Sequence, residues 1–179
     1  MKDIVFIGGI HGVGKGWTSK EIQKKININH YSSSSLIKME RKGILADEKI
    51  ISENDSHNNQ DFLLNAISKL SSQQLILDGH FCLLGENKEP LRIPEETFIH
   101  LHLKGIIVLE DELYKIQQRL LERDKASYNV STLHWLQEEE KKYATEISQE
   151  LDIPILVYNA SSNQTQKIIN FVDGIIGHS

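Results

Sequence analysis

The residues best suited to chemistry in this 179-residue chain are Gly9-Ile10-His11-Gly12-Val13-Gly14-Lys15, two glycines five apart followed at once by a lysine. Glycines let a backbone curl into a nest whose N–H groups converge on an anion, and a helix that follows adds the partial positive charge of its N-terminus. Lys15 adds a mobile full charge for the β- and γ-phosphates of a nucleoside triphosphate. The setting agrees, because the apolar run Ile4–Ile7 leads in as a strand and a helix-like segment follows. Two glycines and a lysine at these offsets arise by chance at about 3 in 10,000 start positions, or in about one chain of this size in twenty. The expectation is a triphosphate-binding loop, not a glycine-rich turn.

A Ser or Thr usually follows the lysine and places its hydroxyl on Mg²⁺. Here Gly16 stands there, then Trp17 and Thr18. The Gly-Lys-Gly form resembles the loop of adenylate kinases and related nucleoside monophosphate kinases, where a Thr comes next and reaches the α-phosphate. That slot holds Trp17, and Thr18 is rotated about 100° further round a helix. His11 takes the place of the proline common in that family's loop. Expected nucleotide contacts are therefore Gly9, His11, Gly12, Val13, Gly14, Lys15, Gly16, Trp17 and Thr18, carried mainly by backbone donors.

Asp78 ends the apolar segment Gln74–Asp78, a position from which a carboxylate can help hold Mg²⁺, often through water. The triplet Asp78-Gly79-His80 resembles that of archaeal adenylate kinases and of the adenylate-kinase-like ATPases of ribosome maturation. Arg119 and Arg123 share a helical face at i and i+4, and rigid guanidinium forks suit the charge of a migrating phosphoryl group. Their setting, after Ile106–Glu110 and a helix, resembles the entry to the lid of nucleoside monophosphate kinases. The resemblance implies that Arg119 packs on the adenine and Arg123 contacts the phosphates. After Arg123 no arginine occurs, so the lid is poor in the further arginines that family brings. Asn159 follows the last strand, where the same family sets a loop against the base. The acceptor site is expected around Ser34, Lys38, Arg41, Gln60 and His80. The run Glu138-Glu139-Glu140 reads as a solvated helix face.

Elements must hold these residues in place. Periodicity predicts strands at 4–7, 74–78, 106–109 and 153–158, buried on both faces as in a parallel sheet. Helices are expected at 16–28 with Ile22 and Ile26 inward, at 36–42 ended by Gly43, and at 58–71 with Phe62, Leu63, Ala66, Ile67 and Leu70 on one face. Further helices are expected at 111–123, with Leu113, Ile116, Leu120 and Leu121 inward, at 131–151, and at 164–176. His30-Tyr31 reads as an extended link, Ser32–Ser35 as a loop and cap, 44–56 as partly helical and 81–93 as a loop. Residues 94–103 favour a short helix over a strand. Such alternation implies parallel βαβ units with ligands at the carboxyl ends of the strands.

The 39% hydrophobic content suits one domain with a real core, and the net charge of −5 argues against nucleic acid bound by bulk electrostatics. No apolar stretch is long enough to span a membrane, and the lone Cys82 reads as a buried small hydrophobe in a cytoplasmic protein. The expected fold is a three-layer α/β/α P-loop NTPase domain over 1–179 with a five-stranded, mainly parallel sheet. Its acceptor-binding region is expected at about 30–72 and its lid at about 119–135. The expected activity is Mg²⁺-dependent transfer of the γ-phosphoryl of ATP to a small acceptor, a nucleotide or nucleoside. Lys15, Arg123 and Asp78 would carry it, Asp78 holding Mg²⁺ through water. The alternative is a non-kinase ATPase or nucleotide-sensing switch that acts with a protein partner.

Overall fold

β1 (Asp3–Gly8) is the centre of the structure, a computed structural model that describes residues 2–47, 58–85, 88–125, 128–162 and 164–177. Ile4, Val5, Phe6 and Ile7 are buried, as a strand covered on both faces requires. The other strands of the sheet are β2 (Asn29–Ser32), β3 (Gln74–Asp78), β6 (Leu103–Glu110) and β7 (Ile155–Asn159), in the order β2-β3-β1-β6-β7. Every pairing in it is parallel. The register sets Ile7 beside Asp78, Gly8 beside Val108, Ser32 beside Asp78 and Glu110 beside Asn159. One end of the sheet therefore gathers the carboxyl ends of all five strands, where α/β folds bind ligands.

The helices are α1 (Lys15–Gln23), α2 (Ser33–Asp47), α3 (Asn58–Lys69), α4 (Glu95–Leu101), α5 (Leu113–Asp124), α6 (Val130–Glu150) and α7 (Thr165–Ile176). They flank the sheet in a three-layer arrangement, with α1 packed on α7, α2 on α3 and α5 on α6. α6 packs against β6 and buries Leu133, Leu136, Ala144 and Ile147, while its buried Tyr143 meets Phe81 and Phe98 edge-on. Phe81 and Phe98 stack at 4.8 Å between ring centroids, and Phe6 meets Phe81 edge-on at 5.0 Å. Each such buried ring contributes about 1.5–3 kcal/mol relative to exposure. Cys82 is buried as expected, and burial pushes its thiol up to about 12.

Several elements differ from the sequence expectation. The His30-Tyr31 link is the edge strand β2, which supplies the fifth strand. Residues 81–93 carry a hairpin, β4 (Cys82–Leu84) against β5 (Pro90–Arg92). Gly43 does not end α2, which runs on to Asp47 and already begins at Ser33; a Cβ there would meet nothing, so no close approach demands glycine. The remainder of the 44–56 segment, from 48, lies outside the described residues. α1 stops at Gln23, short of Ile26, and Leu121 is exposed. β6 starts at Leu103, directly after the expected short helix α4.

Candidate active site

The loop between β1 and α1 folds as its glycines allow. Gly9, Gly12 and Gly14 have φ of +144°, +79° and +110°, a region that side chains rarely adopt. At Gly12 a Cβ would also come within 2.9 Å of Leu120. Val13 donates to the Ile10 carbonyl at 3.3 Å and Thr18 to the Gly14 carbonyl at 3.0 Å. The first N–H groups of α1, on Lys15, Gly16 and Trp17, have no acceptor within a helix and are left for an anion. Thr18 is 2% exposed; its N–H is already used, while its buried Oγ1 has no hydrogen-bond partner among the described residues. Trp17 is 57% exposed.

The Lys15 ammonium donates to the Gly9 carbonyl at 2.5 Å and to that of Ile10 at 3.2 Å. Burial lowers its pKa to about 8; Glu140 and Asp78 hold the proton and Arg123 opposes it. Burial lowers His11 to about 4, with His80, Lys15 and Arg123 adding to the effect, although the residue as a whole keeps an exposed surface. His11 and His80 lie 4.2 Å apart between ring centroids.

Asp78 ends β3 beside this loop. Its Oδ2 lies 2.5 Å from His30 Nε2, and its backbone carbonyl accepts from the Ser33 hydroxyl at 2.8 Å. Neither His30 nor Ser33 was expected from sequence. A hard carboxylate that is almost wholly buried at this position suits Mg²⁺, which keeps most of its waters and binds few protein groups. Among the described residues no group of three or more His, Cys, Asp or Glu side chains could hold a metal alone.

α5 brings its two arginines to the loop differently. Arg119 donates to the Gly12 carbonyl at 3.2 Å and pairs with Asp111 at 2.7 Å. Burial would raise the Asp111 carboxyl, but hydrogen bonds from Ser161, Arg119 and the Glu112 N–H hold it below the usual range. Arg123 is exposed and paired with Asp124 at 2.6 and 2.7 Å, yet its charge reaches both His11 and Lys15. α5 ends at Asp124 and α6 begins at Val130, so the connection between them spans only 125–129. Asn159 accepts from the Ser161 N–H at 2.9 Å, and the adjoining Ala160 lies against Gly14.

A cavity of about 790 Å³ opens beside Asp78 and Gly79. Ser34, Lys38, Arg41, Gln60 and His80, dispersed over 46 positions of sequence, all line it. Its apolar wall includes Phe6, Leu63, Ile93 and Phe98. Arg41 lies over the Phe62 ring at 5.4 Å, and Gln60 meets His100 at 3.2 Å.

The acidic run Glu138–Glu140 is not a uniformly solvated face. Glu140 is 1% exposed, and its carboxylate accepts from the N–H groups of Gly9 at 3.1 Å, Phe81 at 2.6 Å and Cys82 at 2.7 Å. The signal was present, since position 140 continues the stripe of Leu133, Leu136, Tyr143 and Ile147 at helical spacing.

The chain belongs to the AAA domain family, which it matches over residues 8–137. It is thus a P-loop protein of the kinase-like, nucleotide-binding kind. Its fold is similar to a gluconokinase from Sinorhizobium meliloti 1021, with a TM-score of 0.55 at 11% identity over 99% of this chain and 92% of that one. An uncharacterized protein from Eubacterium ventriosum ATCC 27560 is similar at a TM-score of 0.50 and 14% identity, over 97% of this chain and 99% of that one. At such identities the likeness speaks for the fold alone. No curated protein matches the chain in sequence. Among the described residues, no helix is long and apolar enough to cross a membrane.

Proposed function

We propose that this chain is an ATP-dependent phosphotransferase that moves the γ-phosphoryl of ATP to a small acceptor, a nucleotide or nucleoside, in the cytoplasm. The observation that carries the reading is the cavity beside the loop, where Ser34, Lys38, Arg41, Gln60 and His80 meet next to Asp78. The whole of 1–179 acts as one domain, with the acceptor region at about 30–72 and the lid at about 119–135. The loop amides and Lys15 hold the triphosphate, with Gly9, His11, Gly12, Val13, Gly14, Gly16, Trp17 and Thr18 around it. Arg119 and the Asn159 turn lie toward the base. Asp78 holds Mg²⁺ through water; when bound, that ion neutralises phosphate charge.

In the transfer, an acceptor oxygen, either an ionised phosphate oxygen of a nucleotide or a nucleoside hydroxyl that releases its proton to water, forms the new bond to the γ-phosphorus. The bond to the bridging oxygen breaks, and its electron pair leaves on ADP. Lys15 stabilises the charge that develops on the β- and γ-oxygens, and Arg123 does so after it turns from Asp124. The lysine and arginine side chains of α2 attract an anionic acceptor, while Phe6 and Phe98 suit a flat ring.

One observation favours the alternative, an ATPase or switch with a protein partner. Trp17 is largely exposed beside the loop, where the kinase pattern has a threonine. A panel of nucleotides, nucleosides and small metabolites, scored for ADP release above background, separates the two. An acceptor that raises ADP formation in proportion to its own phosphorylation supports the kinase. ADP release indifferent to every acceptor overturns it in favour of the alternative.

A further inference from the structure

We propose that Glu140 is a positioning residue: from the middle of α6 it ties the phosphate loop to the segment Phe81-Cys82 behind the acceptor cavity and supplies a fixed negative charge that steadies the protonated Lys15. This rests on the reading of the loop as an ATP site.

A buried carboxylate costs several kcal/mol unless its oxygens are satisfied. Glu140 is satisfied from two directions. Oε1 accepts from Gly9, the first residue of the loop, at 3.1 Å. Oε2 accepts from Phe81 at 2.6 Å and Cys82 at 2.7 Å, at the entry to β4. His80 Nδ1 lies 3.5 Å from Oε1. All three backbone partners are donors, so the site demands acceptors at both oxygens, which a carboxylate offers and an amide does not. Gly9 opens the triphosphate nest, and Phe81 stacks on Phe98 in the cavity wall. One side chain therefore fixes the donor side and the acceptor side relative to each other.

The charge has its own consequence. Gly9 links Glu140 and Lys15, since its N–H donates to Glu140 at 3.1 Å while its carbonyl accepts from Lys15 at 2.5 Å. The charges of Glu140 on α6 and Asp78 on β3 hold the Lys15 proton, that of Arg123 on α5 opposes it, and His11 of the same loop feels the lysine charge. Glu140 is the stronger of the two counter-charges. Without it, Asp78 alone opposes Arg123 and the cost of burial, and the lysine gives up its proton at lower pH.

The test uses the full chain with Glu140→Gln and Glu140→Asp. MgATP binding is followed by calorimetry between about pH 6.5 and 9.5, with a thermal melt of each variant. Glu140→Gln is expected to weaken binding about tenfold at neutral pH and to move the pH midpoint of binding down by about one unit. Glu140→Asp, which keeps the charge but shortens the reach, is expected to weaken binding with the midpoint close to that of wild type. A loss in Glu140→Gln that is equal at every pH would overturn the proposal, since a purely structural role leaves the midpoint unmoved. If Glu140→Gln does not fold, Glu140→Asp decides, and wild-type affinity in that variant would overturn the proposal. A wild-type chain that binds no ATP at any pH would instead sink the functional reading on which this role depends.

Discussion

His30 and Asp78 meet at 2.5 Å between imidazole Nε2 and carboxylate Oδ2, joining adjacent parallel strands at the carboxyl end of the sheet. A partner of this kind orients a metal-binding carboxylate, and its removal generally costs 10- to 100-fold in metal affinity or activity. His30→Ala is expected to slow turnover about tenfold and raise the Mg²⁺ needed for half-maximal rate, with ATP affinity little changed. Asp78→Asn should be the more damaging of the two. Mg²⁺ titrations of the initial rate check both, and an unchanged Mg²⁺ requirement in Asp78→Asn would contradict the metal-binding role proposed for Asp78.

The low pKa of Lys15 gives ATP binding a pH dependence with a definite sign. Bound phosphates favour the charged lysine, so the complex holds the proton to higher pH than the free loop. Affinity is therefore full below about pH 8, the value set by burial, and falls above it. The limiting slope is about tenfold per pH unit, and binding near pH 8.5 takes up a proton. Folding stability moves the opposite way. The unfolded lysine keeps its proton up to 10.5 while the folded one loses it near 8, so between these values this residue's contribution rises with pH. Calorimetry in buffers of different ionisation enthalpy measures the proton uptake.

Arg119 and Arg123 should separate cleanly. Arg119→Ala strips Asp111 of its ion pair and the Gly12 carbonyl of a donor, and leaving such buried groups short of partners costs about 1–3 kcal/mol. Its effect should appear in the thermal midpoint as well as in ATP affinity. Arg123 is exposed and, among the described residues, pairs with its neighbour Asp124, so Arg123→Ala should leave stability unchanged and lower kcat far more than ATP affinity. Equal losses in kcat and affinity would reassign it to ground-state binding.

A Cβ built at Gly16 meets nothing within 4 Å, so the loop has room for the hydroxyl it lacks. Gly16→Ser should fold normally and tighten the Mg²⁺ dependence of ATP binding. Trp17→Thr removes an exposed ring and should keep or raise the transfer rate if the chain is a kinase. If the alternative holds, ATP binding survives while the partner or the ADP-release cycle is disturbed. A large loss of ATP affinity would show that the indole itself holds the nucleotide.

What could be read from the sequence was whatever is local and periodic. The buried strands at 4–7, 74–78 and 106–109 announce themselves by unbroken apolar runs, and the loop by glycines whose positive φ leaves no other residue type comfortable. β2 escaped because Asn29-His30-Tyr31-Ser32 is a polar edge strand, paired on one side only. The hairpin at 82–84 and 90–92 carries no alternating pattern over its short strands, and the ion pairs that anchor it, Arg92 on Glu139 and Glu146 of α6, come from far along the chain. Gly43 misled because an open helical position tolerates glycine at a cost of about 1 kcal/mol, without any turn being needed. Glu140 was hidden among like charges, although its helical phase matched the buried stripe. The partners of Asp78 and Lys15 come from elements far apart in sequence, and only tertiary packing brings them together.

In the proposed function the Gly9–Lys15 loop holds ATP by its phosphates. Calorimetric titration of wild type and Lys15→Ala with MgATP at pH 7 tests it most directly. Loss of the charge at the β- and γ-phosphates should raise Kd about 100-fold, equivalent to about 3 kcal/mol, with the thermal midpoint of the free protein unchanged or higher. Equal affinity in the two proteins would contradict the account and make the loop a structural turn.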